Sequence, residues 1–278
     1  MMKMSITTMN NKAKLVERVR HPIKMRLLTV KRISELSPSM RRITLTGPDL
    51  PEFLSASFDD HIKLILPAVQ GEKPNMPVVG EHGMQFDDSR PKPVMRDYTP
   101  RHYDPVTNEL DIDFVLDHEG PATNWATNAE VGHYVGIGGP RGSFVIPTDF
   151  DWHLLIADEA ALPALSRRLE ELPTTTRAIA IIKLRNQNLK IELKNNCPAE
   201  IYWVTEEEDA KDGQNALEAT ARRLNLPEGE GFVWAAGEYN DIKTLRSYLV
   251  DEAGINKDHI RASSYWRISV PDAHESFE

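Results

Sequence analysis

The stretch "VMRDYTP", residues 94–100, is an unusual way to end a strand. Strand alternation places Arg96 and Tyr98 on one face and Asp97 and Thr99 on the other, and the final proline stops the pairing. An arginine fork suits a phosphate, and a tyrosine two residues later can lay its ring against a planar conjugated ligand. Taken alone, the stretch fits better a surface arginine beside a packing tyrosine, because short motifs recur by chance.

A second stretch, "DFVLDHEGPATNWATN" at residues 113–128, runs from a strand into a short helix. Gly120 precedes Pro121, which suits the first helical position, and Ala122 and Thr123 follow in the first turn. Backbone N–H groups of such a turn, together with the Thr123 hydroxyl, form an anion site. A plain strand-to-helix junction would use the same residues, so the stretch alone leaves both interpretations open.

From about residue 25 to residue 147, short strands alternate with turn residues. This pattern is typical of an antiparallel β-barrel or sandwich. Residues 67–93, between the third and fourth strands, are too rich in proline, glycine and charge to form core, and they predict a mobile flap or a functional loop. The six candidate strands are "LLTVKRIS", "MRRITLTG", "HIKLILP", "VMRDYTP", "ELDIDFVL" and "HYVGIGG".

After residues 147–153 the pattern changes to strands that alternate with helices of ten or more residues. Such alternation predicts a parallel, doubly wound sheet with crossover helices. A small antiparallel barrel followed by a doubly wound sheet is typical of proteins that bind two substrates, with a cleft between the two halves. The candidate strands are "HLLIAD", "RAIAIIKL", "AEIYWVT", "GFVWAAG" and "HIRASSYW", and the candidate helices are "ALPALSRRLEEL", "QNALEATARRLN" and "YNDIKTLRSYLVDEAG".

Composition excludes several classes of protein. The 278 residues carry a net charge of -9, which argues against broad attraction to nucleic acid or to an anionic membrane surface. Cys197 is the single cysteine, so the chain forms no internal disulfide or cysteine-ligated metal cluster. The first residues contain no apolar run long enough for a signal peptide or spanning helix. We expect a cytoplasmic monomer with a flexible N-terminus over residues 1–20.

Motifs in a fixed order along the chain resemble the siderophore-interacting proteins, or NADPH-dependent ferric-chelate reductases, a branch of the ferredoxin–NADP reductase-like flavoproteins. The resemblance implies a six-stranded antiparallel β-barrel that binds FAD at residues 21–150. It implies an NAD(P)H-binding-like α/β domain at residues 151–278, with a C-terminal strand and tail that return to the flavin cleft. The motifs are "FDDHIKLILP", "RDYTP", "DIDFVL", "GPATNWA", "GGPRGSFVIP", "ADEAALPALSRRLE", "WAAGE" and "RASSYWR".

The resemblance assigns flavin-binding roles to the first half of the chain. Tyr98 would stack on the isoalloxazine, Thr99 would hydrogen-bond near its reactive edge, and Arg96 would neutralise the pyrophosphate, with Asp97 among the cofactor-binding residues. Where the family has a histidine after the apolar strand, this chain has Asp117, with His118 one place later. The remaining residues of the implied FAD site are Asp113, Val115, His118, Gly120, Ala122, Thr123 and Trp125.

The signals for an electron donor in the second half are weaker. "IADEAALPA", residues 156–164, contains the cofactor-binding candidate Asp158 but no glycine, so no dinucleotide fingerprint is present. An arginine near this point of a doubly wound sheet, here Arg185, can accommodate the 2′-phosphate of NADPH. Gly237 and Glu238 end the strand "WAAGE", and the resemblance places Glu238 where nicotinamide and flavin meet.

The second substrate of this family is an anionic ferric siderophore complex. The resemblance places Lys63 and Arg261 at the mouth of the flavin pocket, and Arg267 joins them as a candidate. Cationic side chains there would attract such a complex despite the negative net charge. An isolated lysine or arginine is more often a solvated charge.

These observations lead to one functional hypothesis with two alternatives. The hypothesis is an FAD enzyme that takes a hydride from NADPH and passes single electrons to Fe(III) held by a siderophore, releasing Fe(II) for iron assimilation. Tyr98, Thr99 and Glu238 would orient the reactants. NADH or a reduced ferredoxin is retained as an alternative donor, and a siderophore-binding protein without redox activity is the alternative class. The histidine spacings fit no protein-bound metal site.

Overall fold

The computed structural model describes residues 14–80, 83–205, 215–268, 270 and 275–277. Residues 1–13 of the predicted flexible N-terminus lie outside this part of the chain. Within it, strand β1 (Glu17–Arg20) pairs antiparallel with β11 (Gly142–Val145). Residues 17–20 are therefore held against the first half of the fold.

The first half forms a strongly curled antiparallel sheet. It contains the six predicted strands and a short seventh, β8, which sequence analysis missed. Its strands are β2 (Met25–Ser37), β3 (Met40–Thr46), β4 (Ile62–Leu66), β7 (Val94–Tyr98), β8 (His102–Asp104), β9 (Glu109–Val115) and β10 (Tyr134–Gly138). Their order in the sheet is β7–β4–β10–β2–β3–β9–β8. Alternate residues of β2, such as Leu28 and Val30, enter a core shared with Ile43 and Ile112.

Residues 67–93 contain a small hairpin of β5 (Val78–Gly80) and β6 (Gly83–Gln85), whose residues are exposed. The loop is tied by the buried Asn75, which donates from Nδ2 to the carbonyl oxygen of Asp87 over 2.9 Å. One polar side chain thus supplies the backbone partners that a sheet would otherwise provide.

The second half forms a sheet of five parallel strands with an antiparallel sixth at one edge. The strands are β12 (Trp152–Asp158), β13 (Arg177–Leu184), β14 (Ala199–Thr205), β15 (Gly231–Glu238), β16 (Ile260–Trp266) and β17 (Glu275–Phe277). They lie in the order β14–β13–β12–β15–β16–β17. The helices of the described chain are α1 (Pro121–Thr127), α2 (Leu162–Glu171), α3 (Ala216–Arg223) and α4 (Tyr239–Ser247), with a π-helical turn at Tyr248–Glu252 and 3₁₀ turns at Gln187–Leu189 and Lys257–His259.

Helices cover both faces of this parallel sheet. Leu155 and Ala157 of β12 pack in the same core as Leu165 of α2. Leu154 and Ile156 pack instead with apolar residues of α3 and α4. Because alternate side chains of a strand point to opposite faces, the continuous apolar run of β12 is buried on both sides. The predicted class, an antiparallel barrel-like sheet followed by a doubly wound sheet of ferredoxin–NADP reductase type, is confirmed.

Helix α2 fastens the two halves together. Arg167 donates from Nη1 to Ser55 Oγ over 2.7 Å and to the carbonyl oxygen of Pro100 over 3.1 Å. Glu170 forms an ion pair of 2.6 Å with Arg101. The end of β7 lines the same cavity as the turn after β12 and the end of β16. Across the described residues, we find no helix with the length and apolar character needed to cross a membrane.

Candidate functional site

A cavity of about 610 Å³ lies between the two halves. Its volume falls within the range of small-molecule and cofactor sites. Residues from β7, β9, the start of α1, the turn after β12 and the end of β16 line it. The residues that the sequence predicted and that the cavity contains are Arg96, Asp97, Tyr98, Thr99, Asp113, Val115, His118, Gly120, Ala122, Thr123, Arg185 and Arg267.

The end of β7 supplies a cation, a ring and a hydroxyl to this cavity. Arg96 donates from Nη1 to the carbonyl oxygen of Met95 over 2.8 Å, and within the described residues it forms no ion pair. The ring of Tyr98 lies 4.6 Å from that of Phe114, and burial raises the pKa of its hydroxyl. The neighbouring Thr99 is buried. The guanidinium therefore retains donors for an anion, and the phenol stays neutral.

The strand β9 and the segment after it form the facing wall. Asp113 is buried and paired with Arg42 at 2.6 Å, so its charge is compensated away from the cavity. Thr123 Oγ1 lies 3.0 Å from His118 Nε2 and 3.4 Å from the carbonyl oxygen of Val115. Burial, and secondly the charge of Arg185, lower the pKa of His118. The imidazole is consequently neutral at pH 7 and fixed beside the helix start.

Helix α1 begins at the cavity without a side-chain cap. Gly120 is its N-cap, and Asn124 N donates to the Gly120 carbonyl oxygen over 2.8 Å. A Cβ built at Gly120 would meet no protein atom closer than His118 at 3.9 Å. Packing within the chain thus does not require glycine here, whereas a ligand approaching the backbone of the first turn would.

Arg185 and Asp117 join the two halves beside the cavity. Arg185 forms an ion pair with Glu159 at 3.1 Å and donates to the carbonyl oxygen of Asp117 over 2.9 Å. The Asp117 carboxylate accepts a hydrogen bond from Asn186. Asp117 therefore contacts the second half of the chain and lies outside the cavity lining. The neighbouring His118 lines the cavity instead.

Trp125 occupies a different position from the predicted one. Its ring packs in the core of the first half, 5.7 Å from the ring of Phe114, and it does not line the cavity between the halves. The helical period explains this correction. Ala122 and Thr123 begin α1 at the cavity, and Trp125, two residues beyond Thr123, turns toward the barrel.

Three other predicted cofactor residues, Asp158, Gly237 and Glu238, also lie outside the cavity lining. Glu238 caps helix α4, since its Oε2 accepts from Asn240 N at 2.6 Å and from Asp241 N at 3.2 Å. A Cβ at Gly237 would lie 2.7 Å from Asp158 Oδ2. We therefore assign these residues to holding strand ends and not to contact with reactants.

Of the three predicted substrate cations, Arg267 alone lines the cavity. Lys63 Nζ pairs at 2.8 Å with Oδ2 of Asp97, which lines the cavity, whereas Lys63 itself is not part of the lining. Arg261 pairs with the buried Asp59 at 3.3 Å and lies over the Phe144 ring at 4.5 Å, which directs it to the junction with β11. Arg267 is exposed, and its guanidinium lies 4.4 Å from the centre of the Tyr239 ring.

The cavity also contains residues that sequence analysis did not select. Tyr265 donates from its hydroxyl to Asp59 Oδ1 over 2.7 Å, and Trp266 donates from Nε1 to Asp158 Oδ2 over 2.7 Å. The aromatic pair at the end of the motif "RASSYWR" was the signal that could have identified both. The complete additional set is His61, Glu119, Pro121, Glu159, Ala160, Pro163, Tyr265, Trp266 and Val270.

The chemistry of this lining fits FAD. Arg96 and the uncapped start of α1 offer donors to a pyrophosphate, and Tyr98 and Trp266 offer rings to a flat heterocycle. Gly120 leaves the first turn open to close approach. A curled antiparallel sheet, a doubly wound sheet and this cavity between them define a flavoprotein of the ferredoxin–NADP reductase type.

Comparison with known proteins gives the same class and a family. Residues 29–144 match the siderophore-interacting FAD-binding domain, and residues 150–269 match the siderophore-interacting protein family. The chain therefore belongs to the siderophore-interacting proteins, and its cofactor is FAD.

Individual relatives cover nearly the whole chain. A protein of Escherichia coli K12 named NADPH-dependent ferric-chelate reductase is 34% identical over 93% of this chain and 99% of its own. The ferric vibriobactin reductase ViuB of Vibrio cholerae is 33% identical over 87% of this chain and 89% of its own. The crystal structure of a siderophore utilization protein from T. fusca superposes with a TM-score of 0.82, at 34% identity, over 92% of this chain and 98% of that chain.

Proposed function

We propose that this protein is a ferric-siderophore reductase that uses FAD and NADPH. In this proposal, residues 21–150 bind FAD and residues 151–278 bind the nicotinamide donor. The observation that carries it is the cavity between the two halves, where Arg96, Tyr98 and the start of α1 converge. The names of the relatives from Escherichia coli and Vibrio cholerae support the choice of a ferric chelate as substrate.

The bound FAD would convert a two-electron donor into one-electron steps. The chain's own residues would bind and orient. Arg96 would pair with the pyrophosphate, Tyr98 would lie against the flavin ring, and Thr99 would hydrogen-bond at the ring edge. Glu238 has no part in this scheme, because its carboxylate caps α4. No residue needs to act as a general acid or base.

NADPH is the donor that we favour, and Arg185 is the cavity-lining cation of the second half. To bind a 2′-phosphate, Arg185 must exchange its contact with Glu159, which lies 3.1 Å away. The phosphate would replace one anionic partner by another, so the exchange leaves no cation unpaired.

The acceptor would be Fe(III) in an anionic siderophore complex. Arg267 is exposed at the cavity and forms no ion pair within the described residues, so its charge is available to such a complex. One NADPH would reduce two Fe(III), leaving NADP⁺, one proton and two Fe(II). Ferrous iron binds hard oxygen ligands more weakly than ferric iron, and reduction would release it from the siderophore.

Anaerobic stopped-flow mixing tests the choice of donor. FAD-loaded protein mixed with NADPH should lose its oxidised flavin absorbance at least as fast as ferric-chelate turnover, and NADH should act more slowly. If a reduced ferredoxin reduces the flavin but NADPH does not, NADPH is rejected as the donor, and the assignment as a flavoprotein is retained. If the purified protein binds a ferric chelate but contains no flavin, the reductase function is rejected altogether.

A further inference from the structure

Four N–H donors converge on the buried carboxylate of Asp158, at the carboxyl end of β12. The backbone N–H groups of Ala160 and Ala161 donate to Oδ1 over 2.9 and 3.2 Å. The backbone N–H of Glu238 donates to Oδ2 over 2.9 Å, and Trp266 Nε1 donates to the same oxygen over 2.7 Å. Both oxygens are therefore occupied by donors of the chain itself.

These bonds join the ends of three neighbouring parallel strands. Asp158 ends β12, Glu238 ends β15, and Trp266 ends β16. The space between the first two strand ends is closed to a larger residue, because a Cβ at Gly237 would lie 2.7 Å from Asp158 Oδ2. The Asp158 carboxyl group is consequently held between strand ends by donors of the chain and does not line the cavity.

The indole held in this way belongs to the FAD cavity. Trp266 lines the cavity and is only half-buried, so packing alone does not fix its ring. A 2.7 Å hydrogen bond to the buried carboxyl group of Asp158 does, since it sets the direction of the indole N–H. An asparagine at position 158 would turn one acceptor oxygen into an NH₂ group facing N–H donors.

We propose that Asp158 is a positioning residue that fixes the Trp266 indole as a wall of the FAD cavity. Asp158 acts through Trp266 and does not touch the cofactor. This role replaces the cofactor contact that the sequence suggested for Asp158. It depends on FAD as the ligand and is independent of the donor and of the iron substrate.

The indole N–H resonances test the proposal. The chain has five tryptophans, so a proton–nitrogen correlation spectrum of the FAD-loaded protein contains five indole signals. Trp266→Phe identifies one of them by its loss. Asp158→Asn should move that signal upfield, because the carboxylate acceptor is gone. An unmoved signal would overturn the proposal.

Asp60→Asn is the matched control. Asp60 is also buried and accepts three hydrogen bonds, from Ser55 Oγ, Ser57 N and Ser143 Oγ. None of these donors is an indole, so this variant should leave the Trp266 signal in place. A shift as large as that in Asp158→Asn would show that any buried aspartate has the effect, which contradicts the proposal.

Two further measurements keep the proposal testable if Asp158→Asn folds poorly. In the unaltered protein, the Trp266 indole proton should exchange with solvent more slowly than that of Trp203, which is also half-buried but lies beside Lys190 instead of a carboxylate. Equal exchange rates would contradict the proposal. In FAD titrations, Trp266→Phe should weaken binding severalfold in the native background and add nothing in the Asp158→Asn background. If the two substitutions weaken FAD binding by factors that multiply in the double variant, the proposal is also contradicted.

Discussion

Lys63 Nζ lies 2.8 Å from Asp97 Oδ2, across the antiparallel pair of β4 and β7 in which the two residues are direct partners. The charge of Lys63 is thereby compensated at the edge of the cavity. Arg261 is compensated likewise by Asp59. In the proposed function, attraction of an anionic iron complex would then depend chiefly on Arg267, which faces the cavity without an ion-pair partner among the described residues.

Substitution of Arg267 tests this assignment. Arg267→Ala should raise the KM for an anionic ferric chelate by about tenfold, corresponding to about 1.4 kcal/mol, while the KM for a neutral chelate changes little. Lys243→Ala is the matched control, because Lys243 lies over the same Tyr239 ring at 5.8 Å but not in the cavity. Steady-state kinetics with both chelates give the comparison, and an equal effect of the two variants would reject the assignment.

Arg96 is expected to retain FAD. Arg96→Ala should weaken FAD binding by at least about tenfold, because a charge-assisted contact to the pyrophosphate is worth about 1.5–3 kcal/mol. Flavin absorbance per protein after gel filtration measures the loss. Arg32→Ala removes an arginine from the outer surface, where it pairs with Glu109, and should leave the flavin content unchanged. Full occupancy in Arg96→Ala would disprove the pyrophosphate contact.

Two glycines should respond in opposite ways to alanine. Gly237→Ala places a Cβ 2.7 Å from Asp158 Oδ2 and should lower the free energy of unfolding by about 1–3 kcal/mol. Gly120→Ala meets no protein atom closer than 3.9 Å, so stability should change by less than about 0.5 kcal/mol while FAD binding weakens. Denaturant unfolding of the FAD-free proteins and FAD titration separate the two effects. Strong destabilisation by Gly120→Ala would show that the position serves the fold and not the ligand.

Asp158 should make stability depend on pH near neutrality. Burial, and secondly the charge of Glu159, raise the pKa of Asp158 from 3.8 to about 7. Between about pH 4 and about pH 7 the folded protein therefore holds a proton that the unfolded chain has released, so this group lowers the free energy of unfolding as pH rises through that window. Above about pH 7 its contribution is constant.

Comparison with Asp158→Asn isolates this contribution from those of other carboxylates. The difference in free energy of unfolding between the native protein and the variant should shift in favour of the variant as pH increases from 5 to 7, and then level off. Urea unfolding at several pH values measures it. A difference that is constant across the window would show that Asp158 is ionised throughout.

The sequence predicted those parts of the fold that depend on local pattern. The unbroken apolar run of "HLLIAD" specifies a strand that is buried on both faces, and β12 is buried throughout. The short β8 escaped prediction because three residues after a proline carry little periodicity. Pairing of β1 with β11 joins segments more than a hundred residues apart, which no local pattern reveals.

The site was predictable where one strand or one helix start supplies it. Arg96, Tyr98 and Gly120 lie in the cavity because their own short segments face it. For Lys63 and Glu238, the local pattern did not reveal the contacts that each side chain makes within the chain. Lys63 forms an ion pair with Asp97, and the Glu238 carboxylate accepts hydrogen bonds from the first N–H groups of α4. Each charge therefore already has a partner within the chain.

The central claim is that electrons pass from NADPH through this flavoprotein to siderophore-bound Fe(III). The most direct test follows NADPH oxidation and Fe(II) formation together, under anaerobic conditions, with a ferrous trap, FAD-loaded protein and a ferric catecholate complex. The account predicts two Fe(II) for each NADPH consumed, and loss of both signals in Arg96→Ala freed of FAD. Oxidation of NADPH by the loaded protein without Fe(II) formation, or Fe(II) formation that persists without FAD, would contradict it.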